Sequence, residues 1–194
     1  MNEATEGKNE NLPLLIILGP PGSGKSIQGQ LIGIQHGWRW VSTGQMLRET
    51  KDQKLIAKLK KGVLIDDQTV ADTLDRSLRA SKHIDGIILD GFPRNQWQVA
   101  WLIGQSKRWD REIVGAIYID VDEKEVFKRL SLRGRTDDDE ATIKKRIELY
   151  RQEYEDIKAA LKIYGINVAK VNGVGQIHEI HSKIEEKLNK WLEE

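Results

Sequence analysis

The sequence of 194 residues contains no cysteine, which excludes disulfide bonds and metal sites built on thiolates. It also lacks an apolar stretch of the roughly 20 residues that a membrane-spanning helix requires, and its first residues do not read as a secretory signal. Neither sign of charge dominates, because 31 lysines and arginines stand against 30 aspartates and glutamates. That balance argues against a general nucleic-acid or membrane-surface binder. We therefore expect a soluble, cytoplasmic protein that binds neither nucleic acid nor membrane.

The most informative stretch is a glycine-rich turn that follows an apolar run. Leu14–Leu18 are all apolar, and Gly19–Ser26 fits the pattern G-x-x-x-x-G-K-S/T, after which apolar residues recur at helical spacing. Such a turn lets backbone N–H groups and a helix N-terminus surround a polyphosphate. The side chain of Lys25 would reach the β- and γ-phosphates, and the Ser26 hydroxyl would ligate Mg²⁺. The predicted triphosphate site comprises Gly22, Ser23, Gly24, Lys25 and Ser26.

Apolar runs and amphipathic stretches alternate along the rest of the chain. We predict strands near residues 14–18, 38–41, 86–90, 113–119 and 166–171, with helices between them. This order predicts an α/β fold of three layers, in which helices flank a parallel sheet. Residues 1–11 are polar and aperiodic, so we expect a disordered tail before a single domain over 12–194. That domain is expected to act as a monomer.

Charged residues follow several of the predicted strands, where a parallel sheet forms its ligand crevice. Asp90 ends an apolar strand and could hold Mg²⁺ through water. Arginines are suited to phosphate because their planar guanidinium binds two oxygens and stays charged. Six arginines stand on loops or helices that could face the crevice: Arg48, Arg94, Arg129, Arg133, Arg135 and Arg146.

From about Leu12 to Glu194 the chain resembles the adenylate kinases, within the nucleoside monophosphate kinases. The resemblance rests on ordered motifs: GPPGSGKS at 19–26, STGQMLR at 42–48, DGFPR at 90–94, RLSLRGR at 129–135, DD at 137–138 and KKRIELY at 144–150. It implies a P-loop NTPase fold with a helical acceptor-binding insert at about 43–73 and a very short lid at about 134–139. The implied reaction is ATP + AMP = 2 ADP with Mg²⁺, so the partners would be ATP, AMP and ADP.

The resemblance also implies roles for individual residues. Arg129 would stack on the ATP adenine, with the backbone near Gly175 on the other side. The acceptor site would comprise Thr43, Arg48, Leu64, Ile65, Gly91, Arg94 and Gln98. The catalytic group would be Lys25, Arg94, Arg133, Arg135 and Arg146, of which Arg133 also contacts ATP and Arg135 and Arg146 also contact AMP. Asp137 and Asp138 would orient the lid arginines. Relatives with zinc in the lid use cysteines, so no structural zinc is expected.

Different residues favour different acceptor bases. A glutamine amide can pair with the N6 amino group and N7 of adenine, and Gln98 stands where adenylate kinases have glutamine. Thr43 also favours AMP, whereas the run Arg94–Gln96 resembles the UMP/CMP kinases. The alternatives are therefore a UMP/CMP kinase and, outside enzymes, a weakly active nucleotide-binding module.

Three departures from the family pattern bear on activity. Gln45 stands in place of the usual aspartate, Asp66 replaces the usual proline, and only Gly134 separates Arg133 from Arg135 in the shortened lid. The tryptophans are expected to serve packing. His178 and His181 are expected to be solvated, since no third metal ligand accompanies them.

Overall fold

The computed structural model describes residues 12–60, 65–133 and 140–193. Helices and strands alternate along these residues. They are β1 Leu12–Leu18, α1 Lys25–His36, β2 Arg39–Ser42, α2 Thr43–Arg48, α3 Gln53–Lys60, α4 Asp67–Arg79, β3 Ile87–Asp90, α5 Gln96–Arg108, β4 Arg111–Asp120, α6 Glu123–Arg133, α7 Glu140–Ile163, β5 Val168–Asn172 and α8 Ile177–Glu193. The predicted tail at 1–11 and the predicted lid at 134–139 lie outside the described residues.

The described strands form one sheet in the order β2-β3-β1-β4-β5, and every neighbouring pair is parallel. This confirms the predicted parallel sheet. Consecutive strands β1 and β2 are not neighbours, because β3 lies between them, with Ile17 beside Asp90 in the register. The P-loop after β1 and the turn after β3 therefore leave the same edge of the sheet side by side. In open α/β sheets, ligands bind at this carboxyl edge.

Apolar side chains of β1 alternate between two cores, one on each face of the sheet. Leu14 and Ile16 pack on the side of α4 and α5, whereas Leu15 and Ile17 pack on the side of α1 and α8. All four side chains have no exposed surface. Burial on both faces explains why the strand is a continuous apolar run instead of an alternating one. The three-layer prediction is confirmed.

Side-chain caps fix the helices of the segment between β2 and β3. The Ser42 hydroxyl accepts from the Gln45 N–H and begins α2, and the Asp66 carboxylate accepts from the Thr69 N–H at 2.9 Å and begins α4. Serine and aspartate are among the residues that cap helix N-termini best, because their side-chain oxygens accept from a free backbone N–H. Within the described ranges, no helix is long and apolar enough to cross a membrane.

A polar seam joins α1, the helix that begins at the P-loop, to α8. The buried carboxylate of Glu185 accepts from Gln35 Nε2 at 2.9 Å and lies 2.8 Å from His36 Nε2. The ring of His181 lies against the amide oxygens of Gln28 and Gln35, at 3.2 and 2.9 Å. The expectation of a solvated histidine is therefore correct for the exposed His178 and wrong for His181. The physical reason is that His181 faces polar side chains of α1.

Candidate active site

The P-loop joins β1 to α1 and takes backbone conformations that favour glycine. Gly22 and Gly24 have φ of 78° and 93°, in the left-handed region. The N–H of Ser23 donates to the Pro20 carbonyl at 3.1 Å, and Lys25 Nζ donates to the same oxygen at 3.0 Å. The Ser23 hydroxyl is buried and has no hydrogen-bond partner in the described residues. The loop is therefore a compact turn with the lysine ammonium folded across it.

Ser26 and Asp90 meet between the P-loop and β3. The Ser26 hydroxyl donates to Asp90 Oδ2 at 2.6 Å, and Asp90 is 3% exposed at the end of its strand. A serine oxygen that donates its hydrogen keeps lone pairs for a cation, and both groups are the hard oxygen donors that Mg²⁺ prefers. No cluster of three histidine or carboxylate ligands occurs in the described part of the chain. The pair fits a magnesium ion that takes its other ligands from water and phosphate, as Mg²⁺ usually does.

Arg129 bridges the P-loop and the turn after β5. Its Nε donates to Glu125 at 2.8 Å, one terminal nitrogen donates to the Gly173 carbonyl at 2.9 Å, and the other lies 3.4 Å from the Ser23 carbonyl. The N–H groups of a guanidinium donate in its plane, and a planar guanidinium can stack on an aromatic ring through its face. Gly175, with φ of 129°, belongs to the same turn as Gly173. The structure thus places Arg129 against Gly173, two residues before the predicted Gly175.

On the other side of the crevice, β3 ends in a turn that gathers predicted acceptor residues. The buried hydroxyl of Thr43 donates to the Gly91 carbonyl at 2.9 Å, and Arg94 Nε donates to the same carbonyl at 2.9 Å. Gly91 has φ of 79°. The Arg94 side chain is exposed, so its guanidinium is open to a phosphate on the crevice side. Thr43 and Arg94 are thereby both held against the turn that follows β3.

Gln98 is buried, at 3% exposure, and its amide already has partners. Its Oε1 accepts from the Arg94 N–H at 2.7 Å, and its Nε2 donates to Asp67 at 2.6 Å. The role of this amide in base recognition stays a prediction. From the sequence, Asp67 was assigned no role in the acceptor site, although its position at the start of α4 was the signal that could have drawn attention to it.

The other predicted residues are placed less fully. Arg48 is exposed in the last turn of α2, and Ile65 is half-buried just before α4. The structure describes the backbone of Arg133 and Arg146, in α6 and α7, but not their side chains. Leu64, Arg135, Asp137 and Asp138 lie outside the described residues.

Tyr150, in α7, lies near the crevice, and from the sequence it was assigned no role in the site. It belongs to a stack of three rings with Tyr118 and Tyr154. Burial raises the pKa of its hydroxyl well above the ordinary tyrosine range, and the nearby phenol of Tyr118 adds to this. The backbone of Gly19 and the charge of Arg94 act in the opposite direction. The phenol is therefore neutral and lies within electrostatic reach of both halves of the crevice.

Glu153, on the same helix, faces the acceptor side. Burial raises the pKa of its carboxyl above the ordinary value; Arg94 lowers it and Asp67 raises it. Arg94 is therefore accompanied by two carboxylates that do not belong to the predicted phosphate site.

A P-loop at the end of β1, an oxygen pair that suits magnesium and an arginine-bearing turn on the neighbouring strand define the class of the P-loop nucleotide kinases. Comparison with known proteins identifies the family. The model of the family described as adenylate kinase matches residues 17–165. The chain belongs to the adenylate kinase family, and it is a nucleoside monophosphate kinase.

Similar proteins match along nearly their whole length. An adenylate kinase of Prochlorococcus marinus is 34% identical over 183 residues, which cover 90% of this chain and 98% of that protein. An adenylate kinase of Parabacteroides distasonis is 34% identical over 185 residues, covering 90% and 97%. One of Thermus thermophilus is 28% identical over 180 residues, covering 88% and 94%.

Proposed function

We propose that this chain catalyses the reversible transfer of the γ-phosphoryl group of magnesium-bound ATP to AMP, giving two ADP. One observation carries the proposal: Ile17 pairs with Asp90, so the P-loop and the acceptor turn leave adjacent parallel strands at the same edge of the sheet. Two phosphate-binding elements side by side suit a donor and an acceptor in line. The family name points to the same reaction.

The acceptor in such a reaction is already a phosphate oxygen, so no general base is required. Catalysis then consists of positioning and of neutralising the charge that spreads over the transferring group. Lys25 holds the donor phosphates and Arg94 the acceptor phosphate. The magnesium ion, when bound with ATP, neutralises phosphate charge, and Ser26 with Asp90 would hold it directly and through water.

The lid completes the site in this proposal. Arg133, Arg135 and Arg146 clamp the transferring phosphate, and Asp137 and Asp138 orient them when the lid closes. Closure of the lid and of the segment at about 43–73 excludes water, which otherwise competes as the phosphate acceptor. Arg48, Leu64 and Ile65 complete the acceptor pocket. The single domain over 12–194, the monomeric state and the cytoplasmic location belong to the same proposal.

The test is a parallel assay of one purified preparation with ATP, Mg²⁺ and each of AMP, CMP, UMP and GMP. The expected result is the highest kcat/KM with AMP, and loss of turnover when EDTA removes the metal. A kcat/KM with CMP or UMP that equals or exceeds the value with AMP would assign the chain to pyrimidine nucleotides. Binding of ATP and AMP in calorimetry without any ADP formation would instead favour the weakly active module, for which Gln45 and the short lid are the arguments.

A further inference from the structure

Asp67, the first residue of α4, connects this helix to the turn that carries the acceptor residues. Its Oδ1 accepts from Gln98 Nε2 at 2.6 Å, and its Oδ2 accepts from Asn95 Nδ2 at 2.8 Å. Each carboxylate oxygen therefore serves one amide of the segment 94–98. Such bonds to a charged acceptor are stronger than those between neutral groups.

The bonds around Asp67 have only one consistent assignment of donors and acceptors. A carboxylate can only accept, so the NH₂ groups of Asn95 and Gln98 must both face it. A backbone N–H can only donate, so the Gln98 oxygen must face the Arg94 N–H, at 2.7 Å. The Asn95 oxygen likewise faces the Gln98 N–H, at 2.9 Å. The orientation of the Gln98 amide is therefore fixed by its surroundings.

A fixed amide orientation has a consequence for the bases that it can pair with. Among the described residues, the Gln98 amide uses one N–H and one lone pair for internal bonds, which leaves one of each for a base. Adenine and cytosine present an amino donor beside a ring nitrogen that accepts, whereas guanine and uracil present a carbonyl oxygen in place of the amino group. An amide that could rotate by half a turn would exchange its donor and acceptor and pair with either kind.

We propose that Asp67 is a positioning residue for base selection: it prevents the Gln98 amide from turning over and so makes the acceptor site favour amino bases over keto bases. This inference rests on the proposed function, because it takes Gln98 as the group that meets the acceptor base. Burial supports it, since a turned amide at 3% exposure would leave the Arg94 N–H and the Asp67 carboxylate without suitable partners.

The first variant is Asp67→Asn, which keeps the shape of the side chain. Residue 67 then has one acceptor oxygen and one NH₂ group in place of two acceptor oxygens. The NH₂ group of either Asn95 or Gln98 therefore faces another donor unless its amide turns over. We expect the affinity ratio of AMP to GMP, and that of CMP to UMP, to fall about tenfold while ATP affinity stays within twofold. The readout is calorimetric titration of each monophosphate without ATP. The matched control is Asp72→Asn, which removes an exposed carboxylate from the same helix and should leave both ratios unchanged.

The double variant Asp67→Asn/Gln98→Glu keeps the bracing between α4 and the turn after β3 but removes the amide that is proposed to meet the base. The carboxylate at position 98 would accept from the NH₂ group at position 67 and from the Arg94 N–H. The amide oxygen at position 67 would accept from Asn95, so every internal hydrogen bond is restored. In the bond between positions 67 and 98, residue 67 now donates and residue 98 accepts. The variant no longer has the side-chain N–H at position 98 that would donate to a ring nitrogen of the base. We expect the thermal stability to return to within a few degrees of the wild-type value while the two base ratios stay low.

Ratios within twofold of wild type in Asp67→Asn would overturn the proposal. Should that variant fail to fold, Asp67→Ser decides, because a single hydroxyl oxygen cannot hold both amides: wild-type ratios overturn the proposal and low ratios support it. A wild-type protein that forms no ADP from any monophosphate overturns only the proposed function, because the affinity ratios are measured without turnover.

Discussion

Replacement of Lys25 by methionine tests whether the P-loop charge acts on the transferring phosphate. The structure places Lys25 at the first position of α1, with Nζ donating to the Pro20 carbonyl at 3.0 Å. A unit charge about 4 Å from a phosphate oxygen, at an effective dielectric constant of about 20, contributes roughly 4 kcal/mol. If that interaction is made only in the transition state, its loss lowers turnover about a thousandfold.

The same substitution should affect stability little. Methionine keeps the apolar stem, and the hydrogen bond to Pro20 contributes on the order of 1 kcal/mol, which corresponds to about 2–4 °C in Tm for a domain of this size. Initial rates of ADP formation at saturating ATP, Mg²⁺ and AMP give the turnover, and thermal unfolding followed by circular dichroism gives Tm. Lys82→Met is the control, because Lys82 is exposed before the amino end of β3, away from the crevice. A Lys25→Met protein that folds and keeps turnover within tenfold would refute the charge argument.

Two further predictions concern residues near the acceptor side. Gln45→Asp should keep or raise activity with Mg²⁺, because it restores the acidic residue that the family usually has at this position, and within the described ranges the Gln45 side chain bonds only to Glu49, which is exposed. A fivefold loss of kcat would show that glutamine has its own role. Glu153→Gln should raise Tm at pH 7. Burial raises the pKa of Glu153 in the folded state above its ordinary value of 4.5. The folded protein therefore loses stability as the pH rises through that folded pKa and the carboxyl ionises, a loss that glutamine does not suffer. The gain should shrink as the pH is lowered toward 4, and a gain of equal size at both pH values would contradict the assignment.

The strands of the fold could be predicted because burial on both faces makes them continuous apolar runs. The limits of these strands were harder to predict, since polar residues also enter the sheet. Strand β4 begins at Arg111, two positions before the predicted run, and the buried guanidinium of Arg111 donates to the carbonyls of Ser81 and Ile84 at 2.9 and 2.6 Å. A charged residue that is buried against the carbonyls of the segment between α4 and β3 gives no hydrophobic signal. Its partners are distant in sequence.

The tryptophans show the same limit for packing. Packing was the predicted role, and the structure places the Trp38 indole so close to Gly86 that a Cβ there would lie 2.3 Å from it. Trp191 covers Gly115 in the same way, at 2.5 Å. Glycine composition alone could not reveal these pairs, because each depends on which strand and helix lie against each other. The glycines of the P-loop were predictable since their motif is local.

Within the candidate site, the same distinction separates Ser26 and Asp90 from Asp67. Ser26 belongs to a local motif, and Asp90 ends an apolar strand, so the topology of a parallel sheet was enough to predict that they approach each other. The bond from Gln98 to Asp67 depends on how α4 packs against the turn after β3. The sequence predicted that Gln98 pairs with the acceptor base, but it could not show that the Gln98 amide is already hydrogen-bonded to Arg94 and Asp67.

Asp66 connects the start of α4 to base selection. In place of the family's usual proline, this residue caps α4, since its Oδ1 accepts from the Thr69 N–H at 2.9 Å and from the Thr69 hydroxyl at 2.8 Å. Such a cap stabilises a helix by about 1 kcal/mol and fixes where it begins. The next residue is Asp67, so the cap determines where the carboxylate that holds Gln98 stands. Aspartate at position 66 is therefore a local reason why α4 begins at Asp67, the residue that bonds to the acceptor turn. This departure from the family pattern supports the acceptor site instead of weakening it.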